Sequence, residues 1–131
     1  MARRIVRALV ALAMVGVGLL HFLRPEPFVR IVPRVLPAPL ALVLISGFCE
    51  ILGGLGLLVP RVRRAASWGL VALYVAVFPA NINMAVNDIQ PADGHVPTLI
   101  LWLRLPLQAL FIGLAIWVGG AGQASRPGRT G

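Results

Sequence analysis

Lysine is absent from this 131-residue chain, and only four residues are acidic. Charged residues make up 12% of the sequence and hydrophobic ones 59%, against about 25% and about 45 to 50% in soluble domains. Such a composition excludes a water-soluble globule. The single cysteine, Cys49, excludes an intramolecular disulfide and a paired-thiol redox centre, and two histidines beside one cysteine make a poor metal set, so no metal is expected. Any redox role therefore needs a bound cofactor or a partner. The polar stretches are short and scattered, leaving no room for the roughly 50 residues of a second folded domain.

What the chain has instead is arginine and long apolar runs. Twelve arginines give a formal net charge of +8, which in a polar protein would invite nucleic acid. Here most of them flank apolar runs and read as topology determinants, so the expected partner is the lipid bilayer and not nucleic acid. A membrane-spanning helix needs about 20 apolar residues, and four such runs occur.

The first, residues 5–23, follows Arg3 and Arg4 as a signal peptide would, but the chain continues into Arg24-Pro25 without a small-residue cleavage site, so an uncleaved helix is expected. The second, 39–59, is bounded by Pro37 and Pro39 and by Pro60-Arg61. The third, 65–87, is apolar to Phe78 and then carries Pro79, Asn81, Asn83 and Asn87; the fourth, 98–118, contains Arg104, Pro106 and Gln108. The expected fold is all-α: one four-helix transmembrane bundle over residues 1–118, followed by a flexible, Gly-, Ser- and Arg-rich tail over 119–131.

The arginine distribution predicts the orientation. Arg3, Arg4, Arg7, Arg61, Arg63, Arg64, Arg126 and Arg129 fall on one side, against Arg24, Arg30 and Arg34 on the other. Both termini are therefore expected in the cytoplasm. An Arg-only composition rich in Ala, Gly and Pro suits a GC-rich bacterial genome, and hence an inner (plasma) membrane. The proline-broken, apolar stretch from Arg24 to Ala38 reads as a short interfacial helical turn, with Arg30 and Arg34 toward headgroups and Phe28 and Ile31 toward acyl chains. Trp68, Trp102 and Trp117 lie near span ends, as an aromatic belt requires.

Two ionisable residues fall inside the spans, Glu50 and Arg104. Each costs about 2.5 to 3.5 kcal/mol at the bilayer centre, so such groups usually face the bundle interior and pair. Glu50 lies about 15 Å and Arg104 about 9 Å from the outer ends of their helices, a difference an Arg side chain spans. Gln108 is one turn deeper than Arg104 on the same face. Ser46, Gly47, Gly53 and Gly54 sit three or four residues from Glu50, a small-residue stripe that turns Glu50 into the bundle. Pro79 frees the carbonyl of Val75, which Asn81 or Asn83 is placed to satisfy, and Pro106 frees that of Trp102. His21 closes the cluster from the outer end. The candidate ligand-binding set is His21, Ser46, Glu50, Asn81, Asn83, Arg104 and Gln108, with Glu50 the best catalytic candidate. The competing reading is a Glu50–Arg104 pair that only locks the bundle together. Cys49 reads as an inert packing residue.

The residues in order resemble the DoxX and DoxX-like membrane proteins: Gly18-x-x-His21-Phe22, Phe28, Val32-Pro33, Ser46-Gly47-x-x-Glu50-x-x-Gly53-Gly54-x-Gly56-Leu57, Phe78-Pro79-Ala80-Asn81-x-x-Met84 and Leu103-Arg104-Leu105-Pro106-Leu107-Gln108. The likeness covers roughly residues 15 to 118. It implies a four-helix integral membrane protein of a family named for a subunit of a thiosulfate:quinone oxidoreductase, with relatives described as membrane components of redox or thiol-stress assemblies. The cofactor it implies is a bound quinone, and the partners are a redox enzyme or a second copy of the chain.

Four readings of function follow. An accessory module would hold a quinone, lipid or small polar ligand between Glu50, Arg104 and Gln108 and dock a redox enzyme. A small enzyme would use Glu50 as general acid or base on a lipid-soluble substrate, its proton affinity set by Arg104. A transporter would need an oligomer, and no inverted repeat is evident. A purely structural, partner-docking bundle would need no ligand.

Overall fold

The computed structural model describes residues 1–91 and 93–120, so nearly all of the tail expected to be flexible lies outside the described residues. The described chain forms helices α1 (Ala2–Leu23), α2 (Glu26–Ile31), α3 (Pro39–Leu58), α4 (Arg63–Val86) and α5 (Thr98–Gly119). The four long helices have 20 to 24 residues, or about 30 to 36 Å at 1.5 Å per residue, enough to cross a hydrocarbon core of about 30 Å. All four are long and apolar enough to span a membrane. Their outward faces need an apolar solvent: Leu12, Ile45, Val75 and Leu99 are 59 to 71% exposed.

Local chemistry sets the helix ends. Pro25, Pro60 and Pro97 sit just beyond or before helices, where a missing N–H and a restricted preceding residue break the ladder. Pro39 opens α3 at a position whose N–H has no intrahelical acceptor anyway. Gly120 closes α5 with φ 70°, its N–H bonded to the carbonyls of Ile116 and Trp117, a left-handed cap that a Cβ would strain. Helices α1 and α4 begin two or three residues earlier than their apolar runs, because arginine is a good helix former and extends them. Three arginines then cap carbonyls at helix C-termini, each through Nε at 2.8 Å: Arg3 to Trp117, Arg7 to Val118 and Arg63 to Leu57. A cation at a helix C-terminus contributes about 0.3–1 kcal/mol.

The long helices pack in the order α1, α3, α4, α5, with α5 also touching α1, so α3 and α5 stand on a diagonal. Helix α1 crosses α3 at two glycines: a Cβ on Gly18 would lie 2.6 Å from the Gly47 carbonyl oxygen, and one on Gly47 2.5 Å from His21 Cβ. Only backbones free of side chains approach this closely. The interior has two apolar levels. Val10, Met14, Leu57, Leu70, Tyr74, Ala115 and Val118 fill the end that carries the chain's amino terminus; Ile31, Met84, Ala85 and Leu101 fill the opposite end.

The short helix expected between the first two spans is α2, but its side chains do not face as expected. Ile31 is buried against α4 and α5, and Phe28 is half-buried, stacked on His21, so neither faces acyl chains. Arg30 bonds the Asp93 carboxylate at 3.2 Å instead of standing free toward headgroups. The reason is the anchor at Asn83, whose Nδ2 donates to the Ile31 carbonyl at 3.0 Å and draws α2 onto the bundle.

Candidate functional site

Between the two apolar levels lies a layer of polar side chains. Glu50, on the middle of α3, is 8% exposed and His21, near the end of α1, 6%. Their closest approach is 3.4 Å, His21 Nδ1 to Glu50 Oε2. Gly47 makes this possible, since any side chain there would collide with His21. The imidazole is fixed from two further directions. Its Nδ1 lies 2.8 Å from the Val17 carbonyl, and because a carbonyl only accepts, that geometry places a proton on Nδ1. The Phe28 ring covers its face at a centroid distance of 3.8 Å and an interplanar angle of 20°. With the Nδ1 proton directed at Val17, Glu50 Oε2 is left buried without a hydrogen-bond partner. Buried polar atoms in this state are rare in folded proteins, and in a low-dielectric interior they are costly.

The amides form a second, separate unit. Asn81 Nδ2 donates to Gln108 Oε1 at 2.5 Å, and Gln108 Nε2 donates to the Tyr74 carbonyl. The backbone oxygen that Gln108 takes, on the turn before Pro79, thus belongs to Tyr74 and not to Val75, and the group that reaches it comes from α5 instead of from Asn81 or Asn83. Tyr74 itself donates its hydroxyl to Met14 Sδ at 2.7 Å, joining α4 to α1. This chain of bonds, with Ser67 Oγ donating to the Ala115 carbonyl at 2.7 Å, ties α1, α4 and α5 together and leaves none of its fully buried polar atoms without a partner.

The structure therefore divides the seven candidate residues. His21 and Glu50 come together across α1 and α3; Asn81 and Gln108 come together across α4 and α5. Asn83 anchors α2, and Ser46 donates back to the Leu42 carbonyl of its own helix at 2.9 Å. Arg104 is exposed and directs Nη1 to Met84 Sδ at 3.3 Å; it makes no ion pair with Glu50. The physical reason is the packing order. Arg104 and Glu50 stand on the diagonal helices α5 and α3, and α1 places the imidazole next to the carboxyl first. Cys49 is exposed on the outside of α3 instead of packed within the bundle. Two contributors were not singled out from the sequence, Tyr74 and the stacked face of Phe28. The signal for Tyr74 was its being the only tyrosine, placed mid-span and one turn before Pro79.

Among the described residues no three His, Cys, Asp or Glu side chains gather to hold a metal ion. What the pair can do chemically is exchange one proton and offer one hydrogen bond. It is net neutral either as carboxylate with imidazolium or as carboxyl with imidazole, and Oε2 is the atom without a hydrogen-bond partner.

The class of protein these features define is an integral membrane helical bundle with a buried carboxyl–imidazole pair. A family model described as a domain of unknown function (DUF8561) matches residues 10–119, and the chain belongs to that family. Comparison with curated proteins and with solved structures gives no match.

Proposed function

We propose that this protein is a membrane-embedded binding module, accessory to a redox enzyme, that holds a quinone, lipid or similar small ligand against Glu50. The observation that carries the reading is the buried, unpartnered Oε2 of Glu50 beside His21. A functional carboxyl that waits for a ligand leaves an orphaned atom; one that serves packing is normally satisfied, as the Asn81–Gln108–Tyr74 network is. The residues fit a quinone–quinol couple. As a carboxylate, Glu50 accepts from a hydroxyl; as the acid, it donates to a carbonyl. His21 supplies or takes the balancing proton, Phe28 shields the pair from water, and the flat ring of Phe28 is the kind of surface an aromatic headgroup slides against. The resemblance to DoxX-like proteins supports the same ligand class. The orientation that accompanies it has both termini on the cytoplasmic side of a bacterial-type inner membrane, as the arginine distribution favours.

The test is native mass spectrometry of protein purified in mild detergent, followed by organic extraction. The expected result is a retained quinone or specific lipid in the wild type, lost in Glu50→Gln and kept in Arg104→Leu, since Arg104 is not part of the pair. A bare wild-type protein, or equal retention by Glu50→Gln, rejects the reading in favour of a structural bundle. Substrate turnover by the purified chain that Glu50→Gln abolishes while ligand is still bound would make it an enzyme instead.

A further inference from the structure

The opposite end of the bundle from Asp88 and Asp93 carries its own cluster. Arg3, Arg7 and Arg63 bring three guanidinium groups to the C-terminal carbonyls of α5 and α3. Arg3 and Arg7 are one turn apart on α1, and Arg7 lies within coulombic range of Arg3, Arg4 and Arg63. The chain's four acidic residues are Glu26, Glu50, Asp88 and Asp93. None belongs to this end: Glu26, Asp88 and Asp93 are in or beside the opposite loops, and Glu50 is mid-helix. Like charges gathered at the edge of an apolar body need a counter-anion, and among the described residues this end supplies only the partial negative charge of helix ends.

The way each arginine is held points to what that anion is. All three bond their carbonyl through Nε, and among the described residues neither Nη group of any of them has a protein partner. A guanidinium fixed by Nε has its stem oriented and its terminal fork left for a second acceptor, which is the geometry that suits a phosphate. The side chains are half-buried, so the ordering entropy is already spent on the capping bonds. The depth is that of a lipid headgroup, because the residues stand in the first two turns of α1 and the first turn of α4.

We infer that Arg3, Arg7 and Arg63 form a binding site for the phosphate of an anionic phospholipid, each guanidinium bridging a helix C-terminal carbonyl and the phosphate. The phosphate thereby joins the arginines of α1 and α4 that already cap α5 and α3.

The experiment offers the detergent-purified full chain an equimolar mixture of phosphatidylglycerol and phosphatidylcholine and counts retained lipids by native mass spectrometry. The wild type is expected to retain phosphatidylglycerol severalfold over phosphatidylcholine, and Arg3→Gln/Arg7→Gln/Arg63→Gln to lose that preference. Because this variant also removes three caps, Arg3→Lys/Arg7→Lys/Arg63→Lys is measured beside it. It keeps the charge but has no fork with which to hold carbonyl and phosphate together, so its preference falls severalfold as well. Arg24→Gln/Arg34→Gln, at the other end, keeps the wild-type preference. No preference in the wild type, full preference in the lysine variant, or equal loss in the Arg24 and Arg34 variant would overturn the site.

Discussion

Glu50 and His21 approach to 3.4 Å in a setting almost closed to solvent. As carboxylate and imidazolium the two form a buried ion pair; truncating one member of such a pair costs about 3–5 kcal/mol, whereas replacing both by apolar groups of similar size is often neutral or stabilising. His21→Leu is therefore expected to lower the unfolding midpoint sharply and His21→Leu/Glu50→Leu to recover most of it, as read by denaturant titration in detergent. Full stability in the single variant would mean that the two side chains do not depend on each other. Gln108 behaves differently because it both donates and accepts. Gln108→Leu strands the Asn81 amide and removes the bond to the Tyr74 carbonyl, for a loss of about 1–3 kcal/mol, and Asn81→Leu added to it restores part of that loss. The burial of Glu50 and Gln108 was legible from the sequence, because polar residues within apolar spans turn inward. The partner of Glu50 was not, since reach along a helix axis says nothing about which helices are neighbours.

At the scale of elements, two contacts decide the site. Gly47 admits His21, and a Cβ there would meet both His21 Cβ at 2.5 Å and the Gly18 carbonyl at 2.8 Å. Gly47→Ala is expected to cost about 1–3 kcal/mol through overpacking and, under the proposed function, to lower ligand retention, with Gly16→Ala, which meets open space, as the unaffected control. Helix α2 is held by Phe28 on His21 and by Asn83 on the Ile31 carbonyl. Removing the ring in Phe28→Ala forfeits about 0.5–1.5 kcal/mol of stacking beyond area burial. Amide hydrogen exchange in α2 should then accelerate while α3 stays protected; equal acceleration in both would mean that α2 is no independent unit. The small-residue stripe on α3 was visible as a pattern. That Gly47 and Gly54 receive α1 while Gly53 receives Leu70 of α4, and that α2 folds down onto the bundle, came from packing order and from one asparagine-to-carbonyl bond that no local pattern encodes.

The whole molecule is a set of four long helices whose outer faces are apolar and whose buried polar side chains, among the described residues, are few: His21, Glu50, Ser67 and Gln108. Four crossings return the chain to the side on which it began, and the arginine asymmetry predicts that side to be the cytoplasm. In a Cys49→Ala background, Asp93→Cys is expected to react with an impermeant maleimide added to intact cells, and Pro60→Cys only after the membrane is opened; the reverse pattern would invert the topology. Hydropathy and proline placement alone determined the number of helices, their limits to within a few residues and the need for a lipid solvent, because these depend on solvation and on backbone chemistry that act locally. Tertiary structure decided which polar side chains meet. With α3 and α5 on the diagonal, Arg104 turns to Met84, Gln108 to Tyr74, and His21 becomes the neighbour of Glu50. Pairing across helices is set by rotation and neighbour order, and both follow from how glycine faces let particular backbones close on one another.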